Sequence, residues 1–374
     1  MRACPKSEEG GSMWPDHRIQ NLLGIEHSII QAPMAGAVSS EMVIAVSEAG
    51  GLGSLPCAML SPDQVRTELG IIRQRTARPI NLNFFCHRPP RNDPARMAAW
   101  KQRLEPYYVE LGLDPKAPTP AATRAPFDST MCDLVVEFAP EVVSFHFGLP
   151  ERGLLERVKA TGAKILCSAT SVDEARWLER EGCDAIIAQG AEAGGHRGVF
   201  LSEDISTQPG TMALVPQVVD AVRVPVIAAG GIADARGIVA AFALGASAVQ
   251  IGTAYLFCQE ATIGPAHRTA LASAKDNATA LTNVLTGRPA RSLVNRLVRE
   301  VGPMSELAPE FPLAAGAVAP LRAKAEAAGS GDFTPLWSGQ SASLSRALPA
   351  GELTKQLAEE TLARLQHLRP QALR

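Results

Sequence analysis

The chain has 374 residues and a formal net charge of −2; 46% of its residues are hydrophobic and 20% are charged. This composition is typical of a globular protein with a large aliphatic core, and it provides no basic field that would attract nucleic acid. The sequence also contains no run of about eighteen apolar residues, which a membrane-spanning helix requires. We therefore expect a protein that acts on small molecules and has neither nucleic acid nor a membrane as its partner.

Seven cysteines lie scattered along the chain, and none forms a C-x-x-C pair. An odd number at such spacings argues against both a disulfide framework and a zinc cage, so no metal site is predicted. Residues 1–16 are polar and contain no apolar targeting segment, and we expect them to form a flexible leader. Together these features favour a reducing, cytoplasmic location.

Short β-branched runs alternate with helix-length segments over residues 17–260, which is typical of parallel strands joined by right-handed crossovers. We predict eight strands, at 28–31, 51–54, 80–84, 142–147, 164–168, 185–188, 224–228 and 248–251. The helices predicted between them are 39–49, 62–75, 129–138, 151–161, 171–181, 212–222 and 233–244. Eight strands with intervening helices favour an α/β fold of the (β/α)8 TIM barrel type over an open doubly wound sheet, although sequence alone does not demonstrate closure.

Two regions depart from this alternation. Residues 88–130 are rich in proline and charge around a helical stretch at 94–105, and we interpret them as an insertion after strand 3 that covers the substrate. Beyond residue 253, helical patterns at 266–274, 290–301 and 313–328 occur without intervening strands. We therefore predict a helical cap at 261–345 against the barrel mouth, followed by a C-terminal segment, 346–374, with an outer helix at 352–368.

Glycines cluster where several of the predicted strands end. A missing Cβ lets the backbone approach a phosphate or a flat ring, and barrel sites lie at the carboxyl ends of the strands. The loops after strands 7 and 8 commonly hold a phosphate in such barrels. The clustered glycines are Gly194, Gly195, Gly230, Gly231 and Gly252. We predict a phosphate-bearing cofactor at these turns; the alternative is that they are ordinary turn glycines.

Six segments that include these turns occur in a definite order: 31–36, 49–53, 79–84, 189–198, 228–232 and 250–253. In this order they resemble the nitronate monooxygenases, formerly called 2-nitropropane dioxygenases, and the resemblance spans residues 17–345. It implies a barrel enzyme that binds FMN non-covalently and oxidises alkyl nitronates or nitroalkanes with molecular oxygen. Residues 337–340 match a further family motif near the C-terminus, which would fold back toward the cofactor.

The resemblance also implies which residues contact FMN. Ala32, Pro33 and Met34 belong to a segment that would form an apolar wall against the flavin ring, although Met34 could equally be a core residue. The other implied contacts are Asn83, Gln189, Gly194, Gly231, Gln250, Ile251, Gly252 and Thr253. Each has the residue type that the family has at that position.

Two histidines compete for the catalytic role. His196 lies among the glycines of the 189–198 segment, and His146 lies at the end of the fourth predicted strand. Both match active-site histidines of the family, and an imidazole with a pKa near neutrality is suited to removing a proton next to a nitro group. We predict that His196 is the base, that His146 orients the nitro oxygens, and that electron transfer to FMN starts a radical reaction with oxygen. The two roles could be exchanged, and either ring could be a structural histidine at a strand end.

Some residues depart from the family pattern. The family lines its pocket with tyrosines and a lysine of the cap, whereas this chain has only Tyr107, Tyr108 and Tyr255, with Phe311 where a tyrosine is expected. Some of the three tyrosines could still reach the pocket. One alternative is an FMN-dependent NAD(P)H reductase acting on a quinone or an enoyl thioester; another is a catalytically idle binding protein for a phosphate-bearing ligand. A second copy of the chain, in a homodimer, stays open as a partner.

Overall fold

The computed structural model describes residues 14–91, 93–120 and 124–368. Its strands, in chain order, are β1 (Ile29–Gln31), β2 (Gly53–Pro56), β3 (Ile80–Phe85), β4 (Val142–His146), β5 (Lys164–Ala169), β6 (Ala185–Gln189), β7 (Gly195–His196), β8 (Val226–Ala229), β9 (Ala248–Ile251), β10 (Thr279–Thr282) and β11 (Ala290–Leu293). Eight of these strands form one parallel sheet in the order β1-β9-β8-β6-β5-β4-β3-β2. The predicted strands all occur, with ends shifted by one or two residues.

The sheet closes on itself between β1 and β2. Ile30 forms a parallel bridge with Leu52, and the Leu52 amide donates to the Ile29 carbonyl at 3.0 Å. The second strand lies tightly against its helix, because a Cβ at Gly53 would lie only 2.2 Å from the Val43 carbonyl oxygen. The prediction of a TIM barrel is therefore confirmed.

Helices surround the barrel and cover its open end. They are α1 (Arg18–Leu23), α2 (Ser40–Glu48), α3 (Pro62–Arg75), α4 (Pro94–Glu110), α5 (Ser129–Phe138), α6 (Arg152–Ala160), α7 (Val172–Arg180), α8 (Thr211–Ala221), α9 (Ala235–Ala243), α10 (Pro265–Ala272), α11 (Arg296–Val301), α12 (Ala314–Ala327) and α13 (Ala350–Leu368). Several begin at side-chain caps, such as the Ser61 capping box of α3 and the Asp234 cap of α9. Such caps help to explain why the helices predicted within the barrel begin within two residues of the observed starts.

The inserted helix and the segment after β9 pack on one shared core. Trp100 and Tyr108 of α4 lie with Leu321 of α12 and with Phe333 in this buried cluster. We call this part of the molecule the covering lobe, and it consists of α4, β10, β11, α11, α12 and their connections. The insertion after strand 3 and the cap therefore form one structural unit above the barrel.

The prediction that the cap contains only helices is wrong. β10 and β11 pair antiparallel, and β11 also pairs with β7, so that a three-stranded sheet joins the covering lobe to the barrel. The helix predicted at 290–301 is accordingly a strand over its first four residues and a helix only from Arg296. The apolar residues of this stretch fit a helical period, and the pairing with distant chain segments overrides that local preference.

The two ends of the described chain pack on the barrel. Residues 1–13 of the predicted leader lie outside the described residues, whereas Trp14, which the sequence assigned to that leader, is buried against Phe242. At the other end, α13 packs on α2 and α9, and the buried hydroxyls of Tyr255 and Thr354 lie 2.8 Å apart. No helix in the described ranges is both long and apolar enough to cross a membrane.

Candidate active site

A cavity of about 990 Å³ lies where the carboxyl ends of the barrel strands meet the covering lobe. The predicted site residues that line it are Ala32, Pro33, Met34, Asn83, His146, Gln189, Gly194, Gly195, His196, Gly230, Gly231, Gln250, Gly252 and Thr253. Ile251 is placed differently, because its side chain is 1% exposed and belongs to the aliphatic core between barrel and helices. One cavity thus brings together segments that lie more than 200 residues apart.

The glycine turns have backbone conformations that most other residues avoid. Gly195, Gly230 and Gly231 have φ angles of 72°, 109° and 72°. At Gly230 a Cβ would also lie 2.9 Å from the Ala193 amide nitrogen. Side chains are therefore disfavoured here, and bare backbone forms this side of the cavity.

The segment after α12 returns to these turns, as the sequence predicted for residues 337–340. The Gly339 amide donates to Thr253 Oγ1 at 2.8 Å, and the Ser341 hydroxyl donates to the Gly231 carbonyl at 2.7 Å. A Cβ at Gly194 would lie 2.5 Å from the Gly339 amide nitrogen. These contacts fix the returning segment across the glycine turns, and Trp337, Ser338 and Gly339 join the cavity lining.

The structure gives His146 and His196 different hydrogen-bond environments. His146 Nε2 lies 3.3 Å from the His196 carbonyl oxygen and its Nδ1 lies 3.0 Å from Ser168 Oγ, so protein groups occupy both of its ring nitrogens. His196 Nε2 lies 2.9 Å from Thr286 Oγ1, and its Nδ1 has no hydrogen-bond partner among the described residues. His196 thus has one ring nitrogen that remains available to a ligand.

The backbone of His196 is held on both sides. Its carbonyl accepts a hydrogen bond from Gln189 Nε2 at 3.1 Å in addition to the contact with His146. On the opposite side β7 pairs with β11, so that His196 lies opposite Ala290. His196 therefore lies in the chain between two barrel strands, β6 and β8, and pairs with the sheet of the covering lobe.

Both rings are neutral at physiological pH. Burial and the nearby Arg288 guanidinium lower the pKa of His146 from its usual 6.5 to about 3. Burial lowers the pKa of His196 well below 6.5, and the charge of Arg124 lowers that pKa further. The lowered pKa of His196 differs from the near-neutral pKa that the sequence analysis expected, and it keeps the imidazole in the neutral form that accepts a proton.

Aromatic side chains surround His196 on the side of the covering lobe. Its ring centroid lies 5.1 Å from that of Phe311 and 5.2 Å from that of Trp337. Phe85 and Phe147 complete this group, with their ring centroids 4.9 Å apart. An apolar wall of this kind excludes water from the region around the imidazole.

The three tyrosines do not contribute to this wall, contrary to the sequence-based suggestion that some reach the pocket. Tyr107 donates to Glu300 and Tyr108 donates to the Ala317 carbonyl within the covering lobe. Tyr255 lies beneath the site, between the barrel and α13. Phe311, at the position where the family pattern has a tyrosine, is the residue that contacts His196.

Several residues of the site were missed by sequence reasoning. They include Thr286, which contacts His196 Nε2, and Ser168, which contacts His146 Nδ1. Ser168 could have been identified from the sequence, because it lies near the carboxyl end of β5 and barrel sites lie at the carboxyl ends of the strands. His267 lines the cavity, and its Nε2 lies 3.0 Å from the Trp337 carbonyl oxygen, which is a structural role. Arg124 also lines the cavity.

One polar atom on the barrel side is suited to a ligand that donates a hydrogen bond. Gln250 Oε1 is buried and lacks a hydrogen-bond partner among the described residues. Gln250 lines the cavity, and buried polar atoms are normally paired.

In the described parts of the chain, no group of three or more His, Cys, Asp or Glu side chains is placed to hold a metal ion.

Comparisons with known proteins agree on one family. A family model described as nitronate monooxygenase matches residues 16–360. A nitronate monooxygenase of Pseudomonas aeruginosa is 43% identical over 349 residues, which cover 92% of this chain and 98% of that protein. A nitroalkane oxidase structure from Streptomyces ansochromogenes has a TM-score of 0.85 at 37% identity, covering 94% of this chain and 99% of that chain. The structure of FabK from Thermotoga maritima has a TM-score of 0.72 at 30% identity, covering 94% of this chain and 98% of that chain. This chain belongs to the nitronate monooxygenase family, and it is an oxidoreductase.

Proposed function

We propose that the protein is an FMN-dependent nitronate monooxygenase, which oxidises alkyl nitronates and nitroalkanes with molecular oxygen. The observation that carries the proposal is the position of His196, a neutral imidazole with one available nitrogen, in a cavity floored by bare backbone and walled by aromatic rings. Membership of the family and the likeness to a nitroalkane oxidase support it.

The barrel side of the cavity fits FMN. The turns at Gly230 and Gly231 and the segment from Gln250 to Thr253 would hold the phosphate through backbone N–H groups. Ala32, Pro33 and Met34 would form an apolar wall for the flavin ring, with Asn83, Gln189, Gly194 and Gly195 at its edges. The unpartnered Gln250 Oε1 would accept a hydrogen bond from the cofactor. Bound FMN supplies the electron-transfer chemistry of the reaction.

The base is His196. His146 was predicted to orient the nitro oxygens, but protein groups engage both of its ring nitrogens, so in this proposal it positions His196 instead. The Thr286 hydroxyl donates to the Arg288 carbonyl at 3.4 Å, which leaves its oxygen to accept from His196 Nε2–H. The unprotonated nitrogen of His196 is then Nδ1, and it takes the proton next to the nitro group when the neutral nitroalkane is bound. His146 donates from Nε2 to the His196 carbonyl and therefore fixes the backbone that carries the base.

Oxygen consumption tests the proposal against the reductase alternative. The proposal predicts oxygen uptake that depends on an alkyl nitronate and proceeds without a pyridine nucleotide. Rapid anaerobic reduction of the bound flavin by NADH or NADPH, without nitronate-dependent oxygen uptake, would establish the reductase instead. A protein that takes up no FMN would be the idle binding protein.

A further inference from the structure

The aromatic end of the cavity contains a cation that the proposed mechanism does not use. Arg124, in the segment before α5, is half-buried and lines the cavity. Its guanidinium carbon lies 5.9 Å from the ring centroid of Phe311, and the same ring lies 5.1 Å from that of His196. Arg124 and His196 thus flank one aromatic side chain in the region where substrate would meet the base.

The charge of Arg124 is not neutralised by the described part of the protein. The Arg124 guanidinium forms no hydrogen bond or ion pair with the residues the structure describes. Arg322, which also lines the cavity, donates to Glu326 at 2.8 Å. Arg288 rests on the ring of Phe147 and donates to the Val199 carbonyl. Among these three arginines, Arg124 is therefore the one whose guanidinium donates to no described residue.

The surroundings of Arg124 make an anionic partner favourable. Burial lowers the pKa of Arg124 from its usual value, and the positive charge of Arg322 lowers it further. Both effects disfavour the guanidinium charge in the absence of a counter-ion. Two carboxylates, Glu326 and Asp332, line the same cavity, but Glu326 is already engaged by Arg322 and by the Thr334 hydroxyl. A negatively charged substrate would supply the missing partner.

We propose that Arg124 binds the anionic oxygens of the substrate and makes the enzyme prefer the nitronate anion to the neutral nitroalkane. The proposal rests on the proposed function. A nitronate shares its negative charge between two oxygens on one planar nitrogen, and the guanidinium fork matches such a pair of acceptors. Because the nitronate has already lost its proton, it needs Arg124 but not the base, whereas the neutral nitroalkane needs His196.

The test compares the variants Arg124→Gln and Arg124→Lys with the control Arg88→Gln. Arg88 is exposed and follows β3, so its replacement removes the same charge away from the cavity. For Arg124→Gln we expect kcat/KM for the nitronate to fall about 100-fold, mainly through KM. The kcat/KM for the parent nitroalkane should fall much less, because the neutral substrate has no charge for the guanidinium to bind. Arg124→Lys keeps the charge but loses the fork, and it recovers part of the loss.

Calorimetric titration with nitrate, a planar anion that is not oxidised, gives a readout that does not depend on turnover. Nitrate should bind the FMN-loaded protein, and Arg124→Gln should weaken that binding by a similar factor. Absence of nitrate binding, or equal nitrate affinity and equal nitronate kcat/KM in Arg124→Gln and the parent protein, would overturn the proposal. Arg124-dependent nitrate binding without nitronate oxidation would leave the anion site in place and refute the proposed function.

Discussion

The two sides of the cavity are built in different ways. The barrel side is formed largely by backbone, in turns such as Gly230 and Gly231 whose φ angles are positive. The side of the covering lobe is formed by side chains, among them Arg124 and Trp337, with Phe311 packed against His196. The barrel side is thus a surface of peptide groups, whose shape depends little on the identity of side chains. The lobe side is a surface of side chains, so a single substitution can alter its shape and charge.

Under the proposed function, this difference would separate binding of FMN from choice of the substrate. A backbone surface at strand ends is fixed by the fold, so under the proposed function it would offer the same N–H groups to the FMN phosphate whatever the substrate. A substitution in the side-chain wall of the covering lobe can change the fit to a substrate without disturbing the barrel. We therefore expect substitutions in the covering lobe to alter turnover rates and substrate preference. Substitutions in the glycine turns should instead alter the affinity for FMN.

The largest effect is expected for His196→Asn. Loss of the base should lower the turnover of a neutral nitroalkane about 1000-fold, since general base catalysis contributes 10²–10⁴-fold. FMN content should stay unchanged, and turnover of the corresponding nitronate should fall far less. Oxygen-electrode rates with both substrates check this. An unchanged nitroalkane rate would refute the role of His196.

Acid should destabilise the protein next most strongly. In the unfolded chain histidine rings take up a proton below about pH 6.5, whereas the folded protein keeps His146 neutral down to about pH 3. Acid therefore favours the unfolded state, and the free energy of unfolding should fall by about 3 kcal/mol between pH 7 and pH 4.5 for His146 alone. Urea unfolding at several pH values measures this. His146→Gln should make the decline shallower, and an equally steep decline in that variant would contradict the assignment.

Gly231→Val tests the backbone side. The φ of 72° and the contact of a Cβ with Glu192 Cβ at 3.3 Å would shift the turn at a cost of about 2 kcal/mol, so FMN affinity should fall roughly 30-fold. The matched control is Gly162→Val, because Gly162 has a φ of 89° and open space around its Cβ position. Both variants should lose stability, but only the first should lose FMN, as equilibrium titration would show. Equal FMN affinities would place the phosphate elsewhere.

The smallest effect is expected for Thr286→Val. Removal of the hydroxyl leaves His196 Nε2 without its partner at 2.9 Å and should lower kcat for the neutral nitroalkane about 10-fold at unchanged KM. Thr282→Val, which removes a buried hydroxyl from β10, is the control and should leave kcat unchanged. Steady-state kinetics distinguish the two variants. Equal kcat values for the two would show that Thr286 does not orient the base.

The same contrast explains what the sequence could predict. The barrel and its glycine turns follow from local signals, namely β-branched runs, helix caps and glycines at strand ends, so β8, β9 and Gly231 were predicted near their observed positions. The covering lobe depends on contacts between distant segments. The pairing of β11 with β7 joins Ala290 to His196, and no local pattern encodes that partnership.

Individual side chains of the lobe were equally hard to predict. Arg124 lies in a proline-rich stretch that resembles an ordinary surface loop, and Thr286 follows β10, a strand in a region where only helices were predicted. Arg124 lines the cavity and Thr286 contacts His196 only because the insertion and the segment after β9 fold together. Ile251 shows the converse, since its segment was placed correctly while the alternation of side chains along β9 points it into the core.

The flavin content of the purified protein tests the central claim most directly, namely that the barrel side of the cavity binds FMN. Denaturation of the protein should release FMN at one molecule per chain, and FMN-free protein should take up the same amount again. A colourless protein that takes up no FMN on titration would contradict this account.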